Sequence, residues 1–203
     1  MCGETARRTF TDPLATQDWP ALYEGTLFVY ALVMNRQPIL QDDHVILAPL
    51  QIDEFEELLA VASDPLIWAQ HPNPDRWKRE IFRTYFDGAL ASGGAFMIRN
   101  KAHGNAIGST RFYDHDAEAS EIKIGYTFFS RDQWGSGTNQ RVKRLMLDHA
   151  FQYVRQVIFH VGAQNMRSRI AMQRLGAELI GEEEVAYFGE QPKTNVVFRI
   201  TAP

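Results

Sequence analysis

Apolar positions recur with a helical period in four stretches. Phe55, Leu58, Leu59 and Ala62 follow one another at i, i+3, i+4 and i+7 behind Asp53-Glu54-Phe55-Glu56, which has the form of a capping box with Asp at its start. That spacing predicts a helix over about 53–62. Asn73-Pro74 supplies a cap and a first-turn proline for a second helix, with Trp77, Ile81, Tyr85, Phe86 and Ala89 on one face until Ser92-Gly93-Gly94 ends the repeat. A third is expected over 139–154, where Val142, Leu145, Met146, Ala150 and Tyr153 share a face with Leu147 and Phe151 beside it; it should be the central buried helix. A fourth, over about 167–175, ends at Gly176.

Between these lie runs with strand character. His44–Leu50 reads as a short strand stopped by Pro49, and Ala95–Arg99, Ala106–Tyr113 and Glu121–Phe129 are β-branched or aromatic runs separated by turn signals at 100–105 and 114–120. Three strands joined this closely imply an antiparallel meander. Val157–Val161 comes after the long helix and can therefore lie parallel to the strand preceding that helix, and strands over 177–184 and 195–201 close the chain. The order is that of an α+β protein with one β-α-β crossover: a mixed central sheet, mostly antiparallel with one parallel pair, flanked by about four helices.

Composition narrows the class of protein. A chain of 203 residues with 45% apolar and 23% charged residues suits one compact domain with an extension, and excludes disordered or collagen-like chains. Residues 1 to about 40 show no clear period. Their apolar run, Leu27–Met34, is far short of the ~20 residues that span a bilayer, and no signal-peptide pattern precedes it, so no membrane association is expected. Cys2 is the single cysteine, which leaves no intramolecular disulfide and makes the cytoplasm the expected compartment.

The net charge of −4 argues against nucleic-acid binding, yet it is unevenly spread. Arg131, Arg141, Lys143, Arg144, Arg155, Arg167, Arg169 and Arg174 face only Asp132 and Asp148 in the same stretch, a local surplus suited to a small anion.

Within it, a predicted strand runs through Glu121 into Trp134-Gly135-Ser136-Gly137-Thr138-Asn139 and then a helix. Glycines here either shape a tight turn or let backbone approach a ligand, and unpaired N–H groups at a helix start suit phosphate. The P-loop pattern fails, since Arg141 stands six residues after Gly135 without the required spacing; the dinucleotide pattern GxGxxG starts at Gly135 and Gly137 but meets Gln140 in third place. His44, His71, His103, His115, His149 and His160 show no paired metal spacing, so no metal is expected, and no GxSxG elbow supplies a hydrolase nucleophile.

Residues 134–139, with Glu121-x-x-x-Gly125-Tyr126 before them and Asn165-x-Arg167-Ser168 and Leu175-Gly176-Ala177 after them, resemble the GNAT superfamily of acyl-CoA-dependent N-acetyltransferases, in particular its RimJ/RimL-type branch. Trp134 stands in place of the usual Gln or Arg of the family loop, and Asn139 in place of its last small residue. The resemblance runs from about residue 44 to the C-terminus, so that 1–43 are expected to be an N-terminal extension and 44–203 the acetyltransferase domain.

That resemblance implies the GNAT fold, with the parallel strands splayed and acetyl-CoA as cosubstrate between them. Pantetheine would bond to backbone near Phe128 and Phe129, and pyrophosphate would sit on Trp134, Gly135, Ser136, Gly137, Thr138 and Asn139. Asn165 and Arg167 would add cofactor contacts, Asn165 being equally readable as a helix cap.

The implied reaction is direct transfer of acetyl to a primary amine, either a small molecule or a protein N-terminus. An alkylamine is mostly protonated at neutral pH and needs a base, for which Glu121 is the best-placed carboxylate, although a rim carboxylate is equally a solvated charge. The resemblance assigns proton donation to the leaving thiolate to Ser168. It also implies that residues 68–92 and 185–194 select the acceptor. A non-catalytic acyl-CoA-binding module is the alternative. Residues 1–33 are expected to be dispensable, with Met34 a second possible start, unless the Leu27–Val33 stretch covers the domain or a dimer partner.

Overall fold

The computed structural model describes residues 33–186 and 191–203. Its eight strands form one sheet in the order β1-β2-β3-β4-β5-β6-β8-β7. They are β1 (Leu40–Gln41), β2 (Val45–Pro49), β3 (Ala95–Asn100), β4 (Ala106–Asp116), β5 (Glu121–Phe129), β6 (Gln156–Gly162), β7 (Glu178–Val185) and β8 (Lys193–Thr201). The helices are α1 (Phe55–Ala62), α2 (Pro65–Trp68), α3 (Arg79–Ala91), α4 (Thr138–Ala150) and α5 (Met166–Arg174). Every neighbouring pair is antiparallel except β5 and β6, as the crossover in the sequence requires.

Each face of the sheet carries its own core. On one side the apolar stripe of α4 (Val142, Met146, Ala150) meets Ile122, Ile124, Val157 and Phe159. On the other, Phe55 and Leu58 of α1 and Phe82 and Phe86 of α3 pack with Met97 and Phe128. Side chains of this size contribute roughly 1.5–3 kcal/mol each when fully buried, enough to fix both helical layers against the strands.

The parallel ladder has three rungs, Glu121 to Gln156, Ile122 to Val157 and Lys123 to Ile158, and then stops. Just beyond, β5 bulges: Arg111 of β4 opposes Gly125 whereas Ser109 opposes Phe128, and Tyr126 takes a left-handed backbone with φ 53°. An extra residue in one strand bends it and increases its twist, which carries β5 away from β6.

Two elements differ from expectation. The second helix starts at Arg79, not Pro74, and Trp77 is exposed instead of starting its buried face. The turn residues prevail here: Asn73 Oδ1 accepts from Asp75 N–H at 3.3 Å, Lys78 N–H donates to Asp75 O, and the buried guanidinium of Arg76 lies 5.1 Å from the Tyr85 ring centre.

A fifth helix, α2, opens on Pro65, its Asp64 cap accepting from Leu66 N–H at 3.0 Å. The compact unit runs from Val33, with Met34 buried in the α4-side core and Leu40–Gln41 paired with β2. Most of the stretch considered dispensable, and most of the Leu27–Val33 run, lies outside the described residues. Among the described residues no helix is long and apolar enough to cross a membrane.

Candidate active site

Where β5 and β6 part, a cavity of about 800 Å3 opens between them. Its floor and walls come from Ile124–Phe129 of β5, Phe159–Gly162 of β6, the start of α4, the loop after β6 with α5, and the segment from α2 to Arg76. No aspartate or glutamate is among the described residues lining it, whereas Arg76, Lys143, Arg167 and Arg174 all are. A cleft of one charge sign with low-dielectric walls concentrates ligands of the opposite sign.

The loop into α4 is built for backbone contact. Gly135 and Gly137 have φ values of 76° and 86°, where L side chains are strained, and a Cβ added at either would meet no other atom within 4 Å. Conformation and not crowding therefore demands glycine, and the space beside the backbone is open. Ser136 and Thr138 turn their hydroxyls inward: Ser136 Oγ donates to Gln133 O at 2.7 Å and lies 2.7 Å from Thr138 Oγ1, which donates to Gln133 Oε1 at 3.0 Å. These two brace the loop, while Trp134, Gly135, Gly137 and Asn139 line the cavity.

On the opposite wall Asn165 caps α5, its Oδ1 accepting from Ser168 N–H at 3.2 Å, and it also lines the cavity with Arg167 and Ser168. The Arg167 guanidinium lies 4.0 Å from the Trp134 ring centre and donates to Ile67 O at 2.8 Å, which ties the loop, α5 and α2 together. Phe128 and Phe129 line the cavity as expected.

Glu121 is placed apart from all of these. It sits on the first rung, at the closed end of the strand pair, where Gln156 Nε2 donates to it at 3.1 Å, and it lines a separate recess with Asp114, His115 and Asp116.

Several lining residues had no individual role assigned from the sequence. Lys143 is fully buried, and its Nζ donates to Thr127 Oγ1 at 2.7 Å; burial pulls its pKa from 10.5 to about 7. Its signal was positional, since it stands three, four and seven residues before Met146, Leu147 and Ala150 on the buried face of α4.

His71 is held well below its usual pKa, first by burial and then by the charge of Arg76, whose Nη1 lies 3.1 Å from His71 Nε2. Gly162 has a packing reason: a Cβ there would lie 2.4 Å from Pro72 Cγ, so only glycine lets the 71–76 segment rest on β6.

The sequence profile of the acetyltransferase (GNAT) domain matches residues 44–178. The chain belongs to the GNAT family. It is an acyl-CoA-dependent acetyltransferase with the GNAT fold. Among solved structures it is similar to a GCN5-related N-acetyltransferase from Brucella melitensis, with 21% identity and TM-score 0.68 over 81% of this chain and 79% of that one. It also resembles a GNAT-family acetyltransferase from Bacillus anthracis (14%, 0.65, 81% and 98%) and Mycobacterium smegmatis RimJ in complex with CoA-disulfide (17%, 0.61, 81% and 86%). No curated protein matches the chain.

GNAT acetyltransferases use acetyl-CoA, and the cavity of this family member suits such a ligand. It is long and cationic, has two left-handed glycines at a helix start for phosphate, and offers the unladdered edge of β5 to an amide-bearing arm.

Proposed function

We propose that the protein moves the acetyl group of acetyl-CoA directly to a primary amine, as a RimJ/RimL-type member of its family acting on a protein N-terminus or a small-molecule amine. The observation carrying this reading is the cavity itself. It runs from the Trp134–Asn139 loop past Phe128 and Phe129 to a second end walled by His71, Tyr113, Tyr126 and His160, which leaves room for an acceptor beyond the cofactor. The likeness to a RimJ structure holding CoA-disulfide supports the branch.

In this reading the backbone of β5 and the 134–139 loop hold the cofactor, with Asn165 and Arg167 contributing from the facing wall. Ser168, at the first turn of α5, gives a proton to the departing thiolate.

A thiol-release screen of amines and of peptides with free N-termini tests the proposal, alongside thermal shift with acetyl-CoA. Bound ligand should raise the melting temperature, and Gly137→Asp should abolish that rise by placing a carboxylate against the pyrophosphate. A protein stabilised by acetyl-CoA that releases no thiol with any amine would instead be the non-catalytic binding module.

A further inference from the structure

At the acceptor end of the cavity three polar side chains from three strands stand in line. Tyr113 of β4 lies on β5 at Gly125: a Cβ on that glycine would be 3.2 Å from the Tyr113 hydroxyl oxygen. The phenol therefore occupies the point just past the last parallel rung, where the cavity opens.

His160 of β6 lines the same end, and its Nδ1 is 3.4 Å from Tyr113 Oη. Its Nε2 lies 3.2 Å from Glu183 Oε2, at ion-pair distance but off the hydrogen-bond line. The His160 side chain is 3% exposed and that of Glu183 58%, so the line runs from the cavity, through a buried imidazole, to a carboxylate in contact with solvent.

We propose that Tyr113, His160 and Glu183 form the path by which the acceptor amine loses its proton. This rests on the amine-acceptor reading above. A carboxylate beside Nε2 favours the tautomer protonated there, leaving the Nδ1 lone pair to accept from Tyr113. The ammonium gives one proton to Tyr113 Oη as the phenol passes its own to His160 Nδ1, and the freed amine attacks the thioester carbonyl. The N–C bond forms, the C–S bond breaks, and the remaining proton lost by nitrogen ends on the thiol sulfur. The proton stored on His160 leaves for solvent past Glu183. Glu183 acts through His160 and is a positioning residue.

The charges around the imidazole set its readiness to accept. Burial, then Lys123 of β5, lowers its pKa; Glu183 of β7 and Asp114 of β4 oppose this. Arg199, on the same face of β8, is engaged by Glu178 at 2.8 Å, and His71 and Arg76 stand on the segment across the cavity. A base that is neutral at physiological pH is the outcome.

The test begins with ligand-free protein, in which the His160 imidazole is titrated by NMR. Its midpoint should lie below the ordinary histidine value of about 6.5. Glu183→Gln should move it down and Lys123→Gln up, opposite shifts that loss of packing would not produce. With the best amine from the thiol-release screen, the acidic limb of kcat against pH should move with these midpoints. His160→Gln should remove that limb and lower the plateau by about 10²-fold.

A limb that persists in His160→Gln, that ignores the Glu183 and Lys123 shifts, or that disappears in Glu121→Gln overturns the path. Acetyl-CoA binding without transfer to any amine overturns the acceptor reading, and the path with it.

Discussion

Replacing Lys143 with methionine should stabilise the protein, and more so at neutral than at alkaline pH. The amine ionises near 10.5 in an unfolded chain and at about 7 in the fold, so between those values the unfolded chain binds more protons and wild-type stability rises with pH. The penalty is complete below pH 7 and gone above 10.5.

Linkage puts it at roughly 4 kcal/mol at pH 7 and roughly 1 at pH 9.5. Methionine removes this penalty while filling similar volume beside Phe159, but it loses the bond to Thr127, worth about 1 kcal/mol. Thr127 Oγ1 keeps its 2.7 Å contact with Thr110 Oγ1, so no orphan is created.

The net gain at pH 7 is then roughly 3 kcal/mol, or a rise in Tm of roughly 6–12 °C for a chain of this size, with near parity at pH 9.5. Calorimetric or urea unfolding of both proteins at the two pH values measures it. A variant less stable at pH 7, or an advantage that stays constant between the two, would refute the argument that burial alone depresses this amine.

Ser168→Ala should slow transfer by at most about 10²-fold, and by less with an acyl donor whose thiol is more acidic; a penalty independent of the leaving group, in steady-state assays with both donors, would confine Ser168 to the α5 cap. Gly162→Ala should drive Pro72 off β6 and weaken acceptor KM more than acetyl-CoA affinity, since the new Cβ would sit 2.4 Å from Pro72 Cγ; unchanged KM would show that the segment yields without consequence. A chain starting at Met34 should fold and keep its acetyl-CoA thermal shift, whereas one starting at His44 should lose several kcal/mol with the buried Met34 and β1, as read by Tm.

Strands and long helices were legible because their periodicity is local. Glu121–Phe129 was read to the residue, and α4 starts one residue earlier and ends four residues sooner than the expected 139–154. The turn from Trp134 to Asn139 into α4 was legible too, because left-handed glycines before a helix announce themselves in sequence.

The end of the cavity walled by Arg76, Tyr113 and His160 was not legible. Arg76 is buried by rings from three distant elements, Trp68, Tyr85 and Tyr126, and no local pattern marks a solvent-poor arginine. His160 looked like one more strand residue; only the bulge in β5 and the pairing of β6 with β8 bring it near Tyr113 and Glu183. Glu121 was the best-placed carboxylate in the sequence, and only the three-rung parallel ladder shows that it stands at the closed end of the strand pair.

Those three rungs make the middle of the sheet behave in one respect like its rim. Past Lys123 and Ile158 two strands face each other with no ladder between them, so the ligand-free protein holds a pair of unpaired strand edges in its interior. Edges of that kind accept whatever extended chain fits, whether a ligand's amide-bearing arm or a stray peptide. An acyl-CoA bound there would serve as a surrogate strand that completes the sheet, and the protein would be most open to misassembly when stripped of it. Purification and storage with CoA should suppress self-association that added salt or altered net charge would not.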